Sequence, residues 1–201
     1  MNLQEQFGQI DIYVFDQILR GNIEPGCTVL DAGCGYGRNL VHLLREGCKV
    51  YALDENPEAV EHVRQLSASL ETGLPPENFQ VGPIENMPFP DAIADVVLCN
   101  AVLHFARDDR HFRAMLRGLW RALKPGGLLF CRLASSIGIE HQVQPIEGRR
   151  YLLPDGSERY LVDEPLLMRL TEQFSGQLAD PLKTTVVQNQ RSMTTWMVRK
   201  L

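Results

Sequence analysis

Apolar positions recur along this chain in two alternating rhythms. Phe7, Ile10, Val14 and Ile18 stand three or four residues apart, the spacing of one helical face. Gly21-Asn22 marks the end of that helix. After the Pro25-Gly26 turn, Thr28-Val29-Leu30-Asp31 reads as a short strand that runs into a glycine cluster. Leu40, Leu43 and Leu44 predict a helix ended by Gly47, and Lys49–Asp54 a second strand. Asn56 is placed to cap the next helix, with Pro57 in its first turn and Val60, Val63 and Leu66 on its apolar face.

The alternation continues. Phe79-Gln80-Val81 predicts a third strand and Asp95–Asn100 a fourth, followed by a long helix striped with Phe112, Met115, Leu116, Leu119 and Leu123. Pro125-Gly126 has the order of a type II turn and leads into a fifth strand, Leu128–Cys131. Strands that alternate with helices across short loops imply an α/β fold: a doubly wound parallel sheet covered on both faces. After Arg132 the rhythm changes. Tyr151-Leu152-Leu153 and Tyr160-Leu161-Val162 flank Pro154-Asp155-Gly156-Ser157, the pattern of an inserted β-hairpin. A helix from near Asp163 to Gly176 precedes two last strands, around Lys183–Val187 and Met193–Val198. Two strands with no helix between them predict an antiparallel edge.

No repeat or low-complexity tract divides the chain, so residues 1–201 are expected to form a single domain. Within it, residues 1–22 form an N-terminal helical cap. Residues 133–162 form an inserted loop and hairpin, expected as a lid on the acceptor side. A hydrophobic content of 44% excludes disorder as the main state. The net charge of −5 argues against a nucleic-acid partner held by bulk charge. Arg107, Arg110, Arg113, Arg117, Arg121 and Lys124 read as a solvated helix face rather than a basic groove. No apolar run approaches the roughly 18–20 residues of a membrane span. Met1-Asn2-Leu3-Gln4-Glu5 lacks the basic start of a secretory signal. A soluble cytoplasmic protein, monomer or homodimer, is the expectation. Cys27, Cys34, Cys48, Cys99 and Cys131 are odd in number and hold no Cys-x-x-Cys pair, so neither a disulfide framework nor a metal site is expected.

Candidate chemistry begins at Asp31-Ala32-Gly33-Cys34-Gly35-Tyr36-Gly37, between the first strand and the helix after it. Asp54 ends the next strand, 19 residues after Gly35. A carboxylate at about that distance binds ribose hydroxyls in doubly wound nucleotide sites. The third glycine of a dinucleotide loop is replaced by Arg38 or Asn39, depending on where the count starts. Asp31 is more telling. It would repel a pyrophosphate and attract an ammonium or a sulfonium. A ribose-containing ligand with an amino-acid tail suits both acids.

These residues resemble the first two motifs of the class I S-adenosylmethionine-dependent methyltransferases: Val29–Gly37 the glycine motif, and Tyr51-Ala52-Leu53-Asp54 the acidic one. The likeness extends to Gly82–Phe89 after the third strand, to Asp95–Asn100 with His104-Phe105, and to Leu123-Lys124-Pro125-Gly126-Gly127. The resemblance implies a Rossmann-like seven-stranded sheet ordered 3-2-1-4-5-7-6 with strand 7 antiparallel. It also implies S-adenosylmethionine as cofactor and methyl transfer to a small-molecule acceptor by in-line displacement. Asp31 would then lie near the methionine ammonium, Gly33, Cys34 and Gly35 along the tail and ribose, and Asp54 on the ribose hydroxyls. Ile84 and Glu85 would border the adenine, and Asn100 would face the methionine portion. Two positions depart from the family: Glu55 stands where an apolar residue usually covers the adenine, and Pro83 where an Asp often holds its amino group. Glu55 and Glu85 are the two candidates to replace that contact.

Tyr13, on the N-terminal helix, is expected to help roof the cofactor. His104 follows the fourth strand on the ligand side of the sheet and has two readings. It is a candidate catalytic base for a hydroxyl or thiol acceptor, or a histidine bonded to backbone. Arg132, His141, Arg149 and Arg150 are candidates to line an acceptor pocket. Two rival functions share the scaffold. An NAD-dependent oxidoreductase is disfavoured by Asp31 and by Ala101-Val102-Leu103 after Asn100. A non-catalytic S-adenosylmethionine-binding regulator would keep the same motifs.

Overall fold

The computed structural model describes residues 2–201. Strands β1 (Thr28–Ala32), β2 (Lys49–Asp54), β3 (Phe79–Val81), β4 (Ala94–Asn100) and β5 (Leu123–Ala134) run parallel in the spatial order β3-β2-β1-β4-β5. A separate small sheet contains β6 (Gln144–Glu147), β7 (Arg150–Leu152) and β8 (Glu158–Tyr160). The main sheet then closes with β9 (Gly176–Leu178), β10 (Lys183–Val187) and β11 (Arg191–Lys200). β11 lies antiparallel beside β5, and β10 and β9 share its far edge. The predicted 3-2-1-4-5-7-6 order is therefore present, with β11 as its antiparallel seventh strand. The sixth strand, expected in one piece, is two short ones. Ala179–Leu182 separates them, and Pro181 within it has no N–H for the ladder.

The helices are α1 (Leu3–Phe7), α2 (Ile12–Leu19), α3 (Val41–Arg45), α4 (Pro57–Ser69), α5 (Asp109–Ala122) and α6 (Glu164–Gln173). They cover both faces because the central strands are apolar on both. In β4, Val97 and Cys99 join the core beneath α5 and α6, whereas Val96 and Leu98 join the one beneath α2, α3 and α4. This two-residue alternation produces the doubly wound architecture. Asn56 caps α4 through a 2.9 Å bond to the Glu58 amide, and Asp163 caps α6 through a 2.8 Å bond to the Leu166 amide, as the sequence predicts.

Two elements differ from expectation. The N-terminal segment is two helices rather than one, because Gly8 turns at φ 63° and Asp11 starts a new helix. The Asp11 carboxylate accepts the Tyr13 amide at 3.0 Å, while its own amide donates to Asn39 Oδ1 at 3.0 Å. The cap is thereby tied to the segment after the glycine loop. The insertion is also more than a hairpin, since β6 pairs with β7 to make three strands. It is anchored rather than free. Tyr160 stacks on Phe112 with centroids 4.6 Å apart and donates its hydroxyl to Asp109 at 2.5 Å.

The basic positions of α5 are only partly a solvated face. Arg121 donates to the carbonyls of Met87 and Phe89 and to Asp91, and Lys124, just beyond the helix, pairs with Asp95 at 2.8 Å. Among the described residues no helix is long and apolar enough to cross a membrane. α5 also sets the loop after β3. A Cβ on Gly118 would sit 2.3 Å from the Ile84 carbonyl oxygen, and backbone cannot yield as a side-chain tip can. Gly118→Ala is expected to destabilise the fold by about 1–3 kcal/mol despite its better helix propensity. Urea denaturation measures this, and a more stable variant would contradict the packing.

Candidate functional site

The carboxyl ends of β1, β4 and β5 open on a cavity of about 590 Å³. Gly33, Cys34 and Gly35 form one wall and Asn100 with His104 the floor beside β4. Leu153, Ser157 and Arg159 descend from the insertion, and Val187 and Met193 approach from the sheet edge. This is where open parallel sheets bind ligands.

Asp31 ends β1 beneath the glycine loop, only 1% exposed, and neither carboxylate oxygen has a hydrogen-bond partner. Burial pushes its carboxyl up to about 7, the nearby Asp54 charge adds to the shift, and Arg38 pulls partly back. A buried acid without a donor is costly unless a cation arrives to meet it. Asn100 repeats the pattern, for its buried amide oxygen and nitrogen both lack partners. Asp54 differs: it accepts the Gly35 amide at 2.8 Å and the Asn56 amide at 2.9 Å. It therefore holds the glycine loop against the end of β2 while keeping free lone pairs.

The two loop glycines act differently. A Cβ on Gly33 would meet Val102 Cγ2 at 2.3 Å, so its bareness makes room for the segment after β4. A Cβ on Gly35 would meet nothing within 4 Å, so that face is open to a ligand. Cys34 lines the same wall, its thiol pushed up by burial and by the neighbouring Asp31 and Asp54.

Several candidates stand apart from the cavity wall. Glu55 is exposed beyond Asp54. Glu85 is engaged by His111 at 3.1 Å, and Ile84 is packed in the core against α5. Tyr13 bonds Thr185 at 2.5 Å, fastening the cap to β10, with the Arg132 guanidinium 5.4 Å from its ring centroid. Arg149 and Arg150 pair with Asp163 and Glu158. Arg132 alone of the acceptor-pocket candidates lines the cavity; its Nε is buried without a partner. Arg38, Asn39 and Arg159 line it too. The first two stand in the helix-entry turn and the third in the inserted strand, contexts that look like capping and solvent in sequence.

His104 takes the second of its two readings. The Ala134 amide donates to its Nδ1 at 3.3 Å, placing the ring proton on Nε2. Burial, then the charges of Arg159 and Arg132, pull the imidazole down to about 4. Both features favour the backbone-bonded reading of the ring over that of a base. Its one free lone pair is already taken.

The comparisons with known proteins agree with this geometry. Residues 30–131 match the family model described as a methyltransferase domain. The chain belongs to this methyltransferase family. A malonyl-[acyl-carrier protein] O-methyltransferase of Serratia marcescens is 33% identical over 135 residues, 66% of this chain and 49% of that protein. A thiol S-methyltransferase of Rattus norvegicus is 38% identical over 104 residues, 51% of this chain and 41% of that protein. The chain thus spans about half the length of the curated relatives it matches. Among solved structures, a Burkholderia thailandensis 1,6-didemethyltoxoflavin-N1-methyltransferase with bound S-adenosylhomocysteine superposes with a TM-score of 0.71. That match has 21% identity and covers 99% of this chain and 81% of the other.

The residues present fit the S-adenosylmethionine that the family resemblance implies. The orphaned Asp31 carboxylate and Asn100 amide offer what an amino-acid tail needs, and Gly35 leaves the approach clear.

The raised Asp31 carboxyl has a measurable consequence. It titrates near 7 when folded and near 4 in an unfolded chain, so the folded state holds an extra proton between those values. Stability without cofactor is then fully present at low pH and falls as pH rises through about 7. Asp31→Asn is expected to raise the melting temperature by several degrees at about pH 8 and hardly at all at about pH 4. Calorimetry across that range checks it; a pH-independent difference would mean the carboxyl is not so burdened.

Proposed function

We propose that this chain is an S-adenosylmethionine-dependent methyltransferase acting on a small-molecule acceptor. The observation that carries the reading is the buried, unpartnered Asp31 carboxylate beneath the glycine loop. A dinucleotide would bring phosphates to that place, and the acid would repel them. The relatives named above include oxygen and sulfur methyltransferases, which supports a small nucleophilic acceptor.

When bound, S-adenosylmethionine supplies an electrophilic methyl group on a sulfonium. The chain's own part is binding, alignment and exclusion of water. Asp31 meets the ammonium of the tail, Asn100 bonds the methionine portion and Asp54 holds the ribose hydroxyls. Leu153 and Met193 supply apolar cover from the insertion and sheet edge. Proximity and orientation alone can lower such a barrier by roughly 7–11 kcal/mol. His104 donates from Nε2 to orient the acceptor and removes no proton.

Three measurements test this. Calorimetric titration with S-adenosylhomocysteine should show binding, and Asp54→Ala should weaken it by about 1–3 kcal/mol through lost charged hydrogen bonds. No binding by the parent, or stabilisation by NAD instead, would overturn the reading. Methyl release in the presence of acceptors distinguishes an enzyme from a binding regulator. In the pH profile of turnover, no limb between about pH 5 and 8 should trace to His104. A limb in that range that disappears in His104→Gln would restore it as a base.

A further inference from the structure

The acceptor end of the cavity carries more positive charge than the cofactor can use. Arg38, Arg132, Arg159 and Arg191 line it, against Asp155 as the one carboxylate in the wall. Asp155 is already met by Arg191 at 3.6 Å and by the Ser157 hydroxyl at 2.6 Å. Asp11, behind the wall, is shared by Arg38 at 3.1 Å and Arg132 at 3.5 Å. Asp31 lies under the glycine loop, where the proposed function assigns it to an ammonium. With Arg38, beside that loop, left to the cofactor's own carboxylate, Arg159 remains unmatched, and Arg132 is met only by Asp11 at 3.5 Å.

Arg159 is the clearer of the two. Among the described residues no carboxylate lies within ion-pair distance of it. Its Nη1 donates to the Glu158 carbonyl at 2.7 Å, and its guanidinium lies over the Phe105 ring at 4.9 Å. Stacking fixes the plane of the fork and leaves an edge for a second, bidentate partner. Arg132 brings a buried, unpartnered Nε to the same cavity, and His104 a ring N–H. Both arginines stand near enough to His104 to depress its basicity. Apolar Phe105, Leu153, Val187 and Met193 share the wall with these three donors.

We infer that the acceptor is a small molecule with an apolar body and an oxyanion, carboxylate or phosphate, and that Arg159 and Arg132 bind that oxyanion. This rests on the methyltransferase reading for the position of the cofactor. It also agrees with the absence from the wall of a group able to take a proton near neutrality: His104 donates there, and Asp155 is held below the usual carboxylate range by the Ser157 hydroxyl and its neighbours. An acceptor that arrives already ionised needs no base.

The test uses the full chain loaded with S-adenosylhomocysteine. Benzoate, phenyl phosphate and neutral benzamide are titrated in by ligand-observed NMR, on the parent and on Arg159→Gln and Arg159→Lys. Benzoate or phenyl phosphate should bind at least about tenfold tighter than benzamide, a difference of about 1.4 kcal/mol, and the tighter anion identifies the group. Arg159→Gln should abolish the preference, and Arg159→Lys should restore only part of it, as expected for a lost fork. Equal binding of the three probes, binding of none, or a preference unchanged in Arg159→Gln would overturn the inference. Melting temperatures report whether the variants fold, and Arg132→Gln provides a second variant should Arg159→Gln not fold. Failure of S-adenosylhomocysteine to bind would overturn the cofactor reading instead. The same titrations without it would still judge the arginines.

Discussion

The site depends on a negative charge kept out of water. Asp31 stands near the end of β1 where the sheet needs an apolar residue, and among the described residues neither of its carboxylate oxygens finds a hydrogen-bond partner. In a well-packed interior such a group is a defect; on the proposed function it is one half of an ion pair that the cofactor completes. The neighbouring Asp54 makes it worse, since two acids near one loop repel each other. The protein tolerates this because the glycine loop is tied by three bonds to the end of β2. Gly33 and Cys34 donate to the Leu53 carbonyl, and Gly35 donates to Asp54.

This arrangement explains the order of the fold. β1 and β4 lie side by side at the centre, so Asp31 and Asn100 emerge together. β5, next to β4, delivers Arg132 opposite Asn100 in register. The additions then complete what the sheet leaves open. The N-terminal cap places Asp11 between Arg38 and Arg132, and the insertion adds Arg159 over Phe105. On the proposed function, cofactor contacts come from strand ends, while acceptor contacts come from β5 and the inserted segment, as expected when one scaffold serves many substrates.

Much of this was legible in the sequence. The strand–helix alternation, the Asn56 and Asp163 caps, and Asp31 and Asp54 as two carboxylates at a characteristic interval follow from local patterns, whereas the strand order came with the family resemblance. What escaped depends on contacts distant in sequence. The break at Gly8 is invisible to a spacing that continues across it. Gly118 looks like an ordinary weak spot in a helix until the Ile84 carbonyl is found against it. The state of His104 is decided by an amide thirty residues away. The Glu85–His111 pair joins two elements that no local pattern connects. Arg159 is the half-buried middle residue of a three-residue strand, and only the Phe105 ring and the cavity reveal its orientation.

The insertion is held firmly at one end and loosely at the other. Tyr160 roots it in the core, while its Pro154–Ser157 turn meets the sheet-edge turn around Gln188 and Asn189 through the exposed Arg191–Asp155 pair. A solvent-exposed pair of that kind contributes about 0–1 kcal/mol, a latch that thermal motion opens readily. The tip of the insertion is therefore its easiest part to displace, while the Tyr160–Phe112 stack keeps its base in place. Added salt weakens the ion pair at the tip and leaves the stack untouched.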